Sequence, residues 1–178
     1  MTNLEFVAAI EPFARKVPFG HLPESNIIRF AQYEIGAENF MPDLSRYELD
    51  LGNFCLLISH LDMNIDETMS DQNRRVYDTN FLIVRACEIG NKKQEADTIN
   101  EAQLRAEWLW ATLKHYEACV ETPMKRKGKF LDSVRLGKQF RINDLVGMTD
   151  NACGVEIQLS FLEDITFQNI VKKYPTWN

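Results

Sequence analysis

The stretch that decides the fold is TDNACGVEIQLSFLE, residues 149–163. Apolar and mostly polar side chains alternate along it, and a β-strand points successive side chains to opposite faces. Asp150 and Asn151, which precede the run, are a turn signal. The stretch therefore predicts a long strand in a sheet that is covered on one face only. The apolar members are Val155, Ile157, Leu159 and Phe161, and the alternate members are Glu156, Gln158, Ser160 and Leu162.

Two segments have helical periodicity. Residues 4–17 carry one apolar stripe, which Pro18 ends. Residues 96–120 repeat apolar residues at steps of three and four, so one seam of this long helix faces one surface. Trp108 and Trp110 flank that seam on either side. The seam consists of Ile99, Ala102, Ala106, Leu109, Leu113, Tyr116 and Val120.

Four further segments have strand patterns. Residues 26–34 alternate, although a short helix with Ser25 as its N-cap is the other interpretation. Residues 53–59 are a short apolar run, residues 75–89 are long and rich in β-branched side chains, and residues 139–147 alternate again.

The order of these elements predicts an α+β fold. We expect one sheet of about five strands, antiparallel or mixed, with an N-terminal helix and one long helix packed on one face. Residues 60–73, rich in Asp, Asn and Ser, are predicted to be a loop. Residues 1–163 would form the single domain, and residues 164–178 a C-terminal tail or short helix.

Composition restricts the classes of partner. The chain has 178 residues, of which 45% are hydrophobic, and a net charge of −6. These values predict a globular domain and argue against nonspecific binding to DNA or to anionic membranes. We expect neither a signal peptide nor a membrane span, because the first residues lack a basic segment and no apolar run is long enough.

The four cysteines are Cys55, Cys87, Cys119 and Cys153. They are more than thirty residues apart and include no C-x-x-C pair, whereas zinc sites usually contain one close pair of ligands. We expect reduced, mostly buried thiols, as in a protein that folds in the cytosol.

No segment carries a complete catalytic or metal-binding motif. Residues 62–73 begin like a calcium loop, but Glu67 and Asn73 replace the required Gly and Glu. His115 and Cys119 lie one helical turn apart, and nothing nearby marks the thiol as activated. We therefore expect no catalytic residue, no metal and no cofactor.

One segment is strongly basic. Residues 124–141 hold seven bases and one acid, Asp132, so they carry about +6 and the remaining chain carries −12. The segment is either a charged mobile loop, a contact surface for an acidic neighbour such as an identical subunit, or a DNA contact. The bases are Lys125, Arg126, Lys127, Lys129, Arg135, Lys138 and Arg141.

Aromatic residues suggest further parts of an interface, because Trp and Tyr are enriched where proteins meet. Core packing accounts equally well for one of the two helix tryptophans. The candidate subunit or partner interface consists of Lys125, Arg126, Lys127, Lys129, Arg135, Lys138, Trp108, Trp110, Tyr174 and Trp177.

The order of elements resembles the tail-terminator and neck-ring proteins of tailed bacteriophages, especially those of Bacteroidetes phages and prophages. The stretches that carry the resemblance are NFCLLIS (53–59), RRVYDTNFLIVRACEIGN (74–91), the helix after KKQEAD (92–97) and DNACGVEIQLSFLE (150–163). The resemblance covers about residues 4–163, and its motifs are apolar strand patterns. Val155 stands where an aromatic residue is usual, and the segment 36–50 is longer than in those proteins.

The resemblance implies a structural virion protein of the tail or neck, made in the host cytoplasm. Such a protein forms a homo-oligomeric ring, a hexamer or dodecamer, that terminates the tail tube or joins it to the head–portal complex. Its partners are copies of itself and tail-tube, portal or neck proteins. DNA passes through the bore without sequence-specific binding.

Two other classes of function stay open. The first is a non-viral or non-ring adaptor that binds a partner at a sheet edge. The second is an enzyme whose site is assembled from scattered residues such as His60, Asp62 and Cys119, which would require a pocket that gathers them.

Overall fold

The computed structural model describes residues 3–15, 27–31, 52–59, 61–66, 73–120, 134–148 and 152–165. These residues form one α+β domain, which confirms the predicted fold class. The elements in chain order are α1 (Asn3–Ala14), β1 (Ile27–Ala31), β2 (Cys55–Ser59), β3 (Asp62–Asp66), β4 (Asn73–Ala86), α2 (Lys92–Val120), β5 (Val134–Met148) and β6 (Ala152–Ile165).

The strands form one six-stranded mixed sheet in the order β1-β2-β4-β6-β5, with β3 also paired to β4. Only β1 and β2 pair in parallel among the strand pairs that the structure describes. The central ladder joins β4 to β6 without interruption, from Asn73 opposite Ile165 to Ala86 opposite Ala152. The two strands with the strongest sequence patterns therefore lie at the centre of the sheet.

Both helices pack on one face of this sheet, as predicted. Residues directly opposite each other across a ladder share a face, which groups Phe81 with Ile157. Phe6 of α1 packs its ring edge-on against Phe161 at 5.3 Å between ring centroids, and 6.0 Å from Phe81. The α2 seam packs into the same core. Its buried members are Ile99, Ala102, Ala106, Leu109 and Leu113.

The opposite face is open along β6. Val155, Ile157, Leu159 and Phe161 are buried, whereas Glu156, Gln158, Ser160 and Leu162 are partly exposed. This confirms a sheet covered on one face along this strand. Next to β2 the second face is apolar and buried, through Leu57 and Leu82.

α2 begins four residues earlier than the predicted residue 96, because the chain before it provides a cap. The side-chain Oδ1 of Asn91 accepts a hydrogen bond from the backbone N–H of Gln94 at 3.3 Å, as expected of an N-cap. Gly90 adopts a positive φ of 93° and donates its N–H to Oε1 of Glu95 at 2.7 Å. A glycine is needed here because other residues rarely adopt this conformation.

The loop prediction for residues 60–73 is wrong for the five residues of β3 and for Asn73, which begins β4. Asp62–Asp66 form β3, which pairs with β4 in one continuous antiparallel register. Asp and Asn are poor strand formers, so the pairing with β4 overrides the local preference. The sheet therefore has six strands rather than about five. α1 also ends at Ala14, earlier than the predicted residue 17.

The expectation that all four cysteines are reduced is wrong for two of them. Cys87 and Cys153 form a disulfide with a Cα–Cα distance of 5.9 Å. They are 66 residues apart in sequence, and the β4–β6 ladder brings them together. Cys55 is buried and is not part of a disulfide, as expected, and the side chain of Cys119 lies outside the described residues.

Candidate interaction surfaces

The outer surface of α2 carries an exposed apolar stripe. Leu104 and Trp108, one helical turn apart, are 43% and 48% exposed. Ala111 and His115, both exposed, continue the same line along the helix. Trp108 was predicted as an interface residue. Leu104 was not, although it lies outside the buried seam and four residues before Trp108.

Trp110 has a different role. Its ring stacks on Phe140 of β5 with 5.1 Å between centroids and 28° between planes. Two turns earlier on α2, Gln103 Nε2 donates a hydrogen bond to Asp144 Oδ1 of β5 at 2.7 Å. Trp110 therefore attaches α2 to β5, which agrees with the core interpretation of one of the two tryptophans. The two tryptophans do not form one patch.

The predicted basic interface is described only in part. Arg135 and Lys138 lie in β5, so the end of the basic segment is a strand at one side of the sheet. The role of these bases as contacts stays a prediction. Six other predicted interface residues lie outside the described residues. These are Lys125, Arg126, Lys127, Lys129, Tyr174 and Trp177.

The two outer edges of the β3-β4-β6-β5 part of the sheet differ. β3 pairs with β4 alone among the described strands, without a bulge, and its Met63 and Ile65 are 56% and 55% exposed. β5 pairs with β6 alone among the same strands, and its register shifts twice. Only residues 140–145 of β5 form a regular stretch between the two shifts.

A tyrosine–carboxylate pair lies under the helices. The hydroxyl of Tyr77 donates a hydrogen bond to Glu163 Oε2 at 2.6 Å, and Arg75 NH1 lies 3.6 Å from the same oxygen. Burial, followed by the hydrogen bond and charge of Glu163, raises the pKa of Tyr77 to about 12. The phenol therefore stays protonated near neutral pH, which suits a structural hydrogen bond rather than a nucleophile or a base.

An arginine cluster fixes the start of α2 to the sheet. The guanidinium of Arg85 on β4 donates to Glu101 Oε2 at 3.1 Å and to Thr98 Oγ1 at 3.2 Å. The guanidinium carbons of Arg85 and Arg105 lie 4.6 and 4.3 Å from the ring centroid of Phe54. Burial, and secondarily the charge of Arg85, lowers the pKa of Arg105. The cluster is a cation–π attachment between elements.

The residues considered for an assembled active site are not brought together in the part of the chain that the structure describes. Asp62 is exposed on β3, while His60 and the side chain of Cys119 lie outside that part. Among the described residues, no three His, Cys, Asp or Glu side chains are grouped as metal ligands. No helix in the described ranges is long and apolar enough to cross a membrane.

The chain matches no known protein-family model, and no curated protein is significantly similar to it in sequence. Among the described residues, the features that could bind another molecule are the Leu104–Trp108 stripe, the edge of β3 and the edge of β5.

Proposed function

We propose that this chain is a structural subunit that assembles with copies of itself, as a ring in the tail or neck of a tailed bacteriophage. The observation that carries the proposal is the exposed stripe of Leu104 and Trp108 on α2. A tryptophan that is half exposed beside an exposed leucine is costly to leave in water, and tryptophan is the residue most enriched among binding hot spots.

The polar clusters of the described residues support assembly rather than catalysis. An active site commonly shifts the pKa of an acid or base toward the working pH. Here the pKa of Tyr77 moves away from neutral pH, and its hydroxyl is bound to Glu163. The arginine cluster is occupied in joining α2 to the sheet. We therefore propose that the chain is not an enzyme.

The proposed location in the virion follows from the resemblance given above. In that arrangement the ring terminates the tail tube or joins it to the head–portal complex, with tail-tube, portal or neck proteins as neighbours. The net charge of −6 suits a bore through which DNA slides, because an acidic surface repels phosphate. The open face of the sheet would then line the bore, and the helices would lie outside.

The test is the particle mass of the purified chain, measured by mass photometry and imaged in negative stain over a range of concentrations. We expect a closed ring for the unmodified chain and at least a tenfold higher assembly midpoint for Trp108→Ser. Glu107→Ser, an exposed neighbour on the same helix, is the matched control and should assemble normally. A monomer at every concentration, alone and with extracts of phage-infected cells, would refute the proposal.

The second candidate function is an adaptor that binds an extended partner segment. The exposed, regular edge of β3 favours it, because extended peptides add to such edges. An adaptor would stay monomeric in the same measurement and bind one partner at one-to-one stoichiometry, independently of Trp108.

A further inference from the structure

We infer that copies of this chain join edge to edge, with β3 of one copy pairing antiparallel to residues 140–145 of β5 in the next. This inference rests on the proposed self-assembly and adds a second contact to the one proposed for the Leu104–Trp108 stripe. Both edges are unpaired among the described strands, and they lie on opposite sides of one four-stranded unit. The sheet of each copy would continue into the sheet of its neighbour.

Strand direction permits this contact. The ladders β3–β4, β4–β6 and β6–β5 are all antiparallel, so direction alternates along four strands. β3 and β5 therefore run in opposite directions. A neighbouring copy placed beside β5 in the same orientation presents a β3 that is antiparallel to it. Such a head-to-tail contact repeats and closes into a ring when the rotation between copies allows it.

The side chains of the two edges match at one position on the helix-covered face. Met63 and Ile65 lie opposite Tyr77 and Arg75 of β4, so they belong to that face, and they are more than half exposed. On β5, Ile142 lies opposite Ile157 and shares the same face. Joining the edges places Ile65 beside Ile142 and extends the apolar surface across the junction.

The charges of the two edge strands are also complementary. β3 contains Asp62 and Asp66 and no base, which gives it a charge of −2. β5 contains three bases and one acid, which gives it +2. An antiparallel register that pairs Asn64 with Asn143 puts Asp66 opposite Arg141. Opposite charges across a strand pair stabilise it, and like charges would oppose a β3–β3 or a β5–β5 contact.

This register limits the contact on the side of β1. β2 and β3 follow each other along the same edge of β4, and β1 pairs with the outer edge of β2. The incoming β5 would pair with the outer edge of β3, so β1 and this β5 would lie in one row. The last residue of β1, Ala31, pairs with Ser59. With Asn64 opposite Asn143, Met148 at the end of β5 comes level with Ala31 of the next copy. Both residues would then lie beside Ser59, so the contact includes residues 140–145 of β5 and not Met148.

The same register gives a reasonable barrel geometry. Within one copy, Asn143 lies directly across the sheet from Glu156 and Leu82, and Asn64 lies across from Val76. Leu82 and Val76 are six residues apart on β4. Pairing Asn64 with Asn143 therefore shifts each copy by six residues along the strands relative to the next copy. Four strands about 4.8 Å apart and six residues of about 3.3 Å each give a strand tilt of about 45°. Closed barrels have tilts of about 35–45°.

The test is a cysteine pair across the proposed junction. The variant with both Asn64→Cys and Asn143→Cys is oxidised mildly and run on a non-reducing denaturing gel. Both positions are exposed. We expect a ladder of covalent multimers from the double variant and none from either single variant. The unmodified chain reports cross-links through native cysteines, and Asn64→Cys with Glu107→Cys is the matched control pair.

The outcomes separate this inference from the proposed function. Rings without a ladder would overturn the edge contact and leave self-assembly standing. A covalent dimer from Asn143→Cys alone would show a β5–β5 contact and overturn the inference. Monomers at all concentrations would overturn both. Reversing the charge by Asp66→Lys places a base opposite Arg141 and should raise the assembly midpoint at least tenfold, and adding Arg141→Asp should restore it.

Discussion

The two faces of β6 have opposite surroundings although they alternate residue by residue. Phe161 is fully buried against Phe6 of α1, and the next residue, Leu162, is only partly buried on the other face. The two faces of β6 therefore have different roles. The helix-covered face provides the free energy of folding, and the open face and the edges are left for contact with other molecules.

The largest effect is expected for a substitution on the helix-covered face of β6. Phe161→Ala removes a ring from the centre of the core and should lower the free energy of unfolding by about 3–5 kcal/mol. Leu162→Ala, the neighbouring control on the open face, should cost less than about 1 kcal/mol. Urea denaturation followed by circular dichroism measures both. Equal losses would mean that the open face is packed as tightly as the covered one.

The same comparison explains how far the sequence predicts the fold. Strands with clear alternation, such as β6, and the seam of α2 from Ile99 to Leu113 agree with the prediction because their periodicity reflects burial on one side. β3 was missed because its residues favour a loop and only pairing with β4 makes it a strand. The disulfide was missed because Cys87 and Cys153 meet through the ladder rather than through local spacing.

The candidate surfaces were predictable to a smaller extent. Trp108 and Trp110 have the same chemistry and nearly the same position, and only the contact of Trp110 with Phe140 tells them apart. The sequence does not indicate that Met63 and Ile65 are exposed unless β3 is known to be an edge strand. Which apolar residues stay exposed is decided by the packing of the whole chain, and a sequence pattern does not contain that information.

The second prediction concerns the end of the covered face, where the disulfide joins β4 to β6. Replacing both Cys87 and Cys153 with alanine should lower the free energy of unfolding by about 2–4 kcal/mol, because the bond closes a long loop in the unfolded chain. A reductant should destabilise the unmodified chain by a similar amount and leave the double variant unchanged. If the reductant has no effect on the unmodified chain, the bond does not contribute.

The third prediction concerns how the free energy of unfolding depends on pH through the hydrogen-bonded pair Tyr77 and Glu163. The pKa of Tyr77 is raised from 10.0 to about 12, so the folded state holds this proton more tightly than the unfolded state. Its contribution to stability is complete below pH 10 and is lost as the pH rises toward 12. The full loss should be about 3 kcal/mol, since the pKa differs by about two units and each unit is worth about 1.4 kcal/mol.

Tyr77→Phe is the reference for this measurement, because it keeps the ring and removes the titrating hydroxyl. The difference in unfolding free energy between the two proteins should be constant from pH 7 to 9 and should then narrow between pH 10 and 12. Other groups that titrate in this range affect both proteins and cancel. A difference that does not change up to pH 12 would contradict the buried hydrogen bond between Tyr77 and Glu163.

The smallest expected effect is on the open face and edges. Asn64→Ala and Asn143→Ala should each change the unfolding free energy by less than about 0.5 kcal/mol. Both residues are exposed, and the 3.3 Å hydrogen bond from Asn143 to Glu156 is a surface contact. Thermal melting of the separated subunit checks this. A larger loss of unfolding free energy for Asn143→Ala would mean that this edge of β5 contributes to the stability of the subunit as well as to assembly. If both variants are as stable as the unmodified chain, a loss of rings in edge variants can be attributed to the contact between copies.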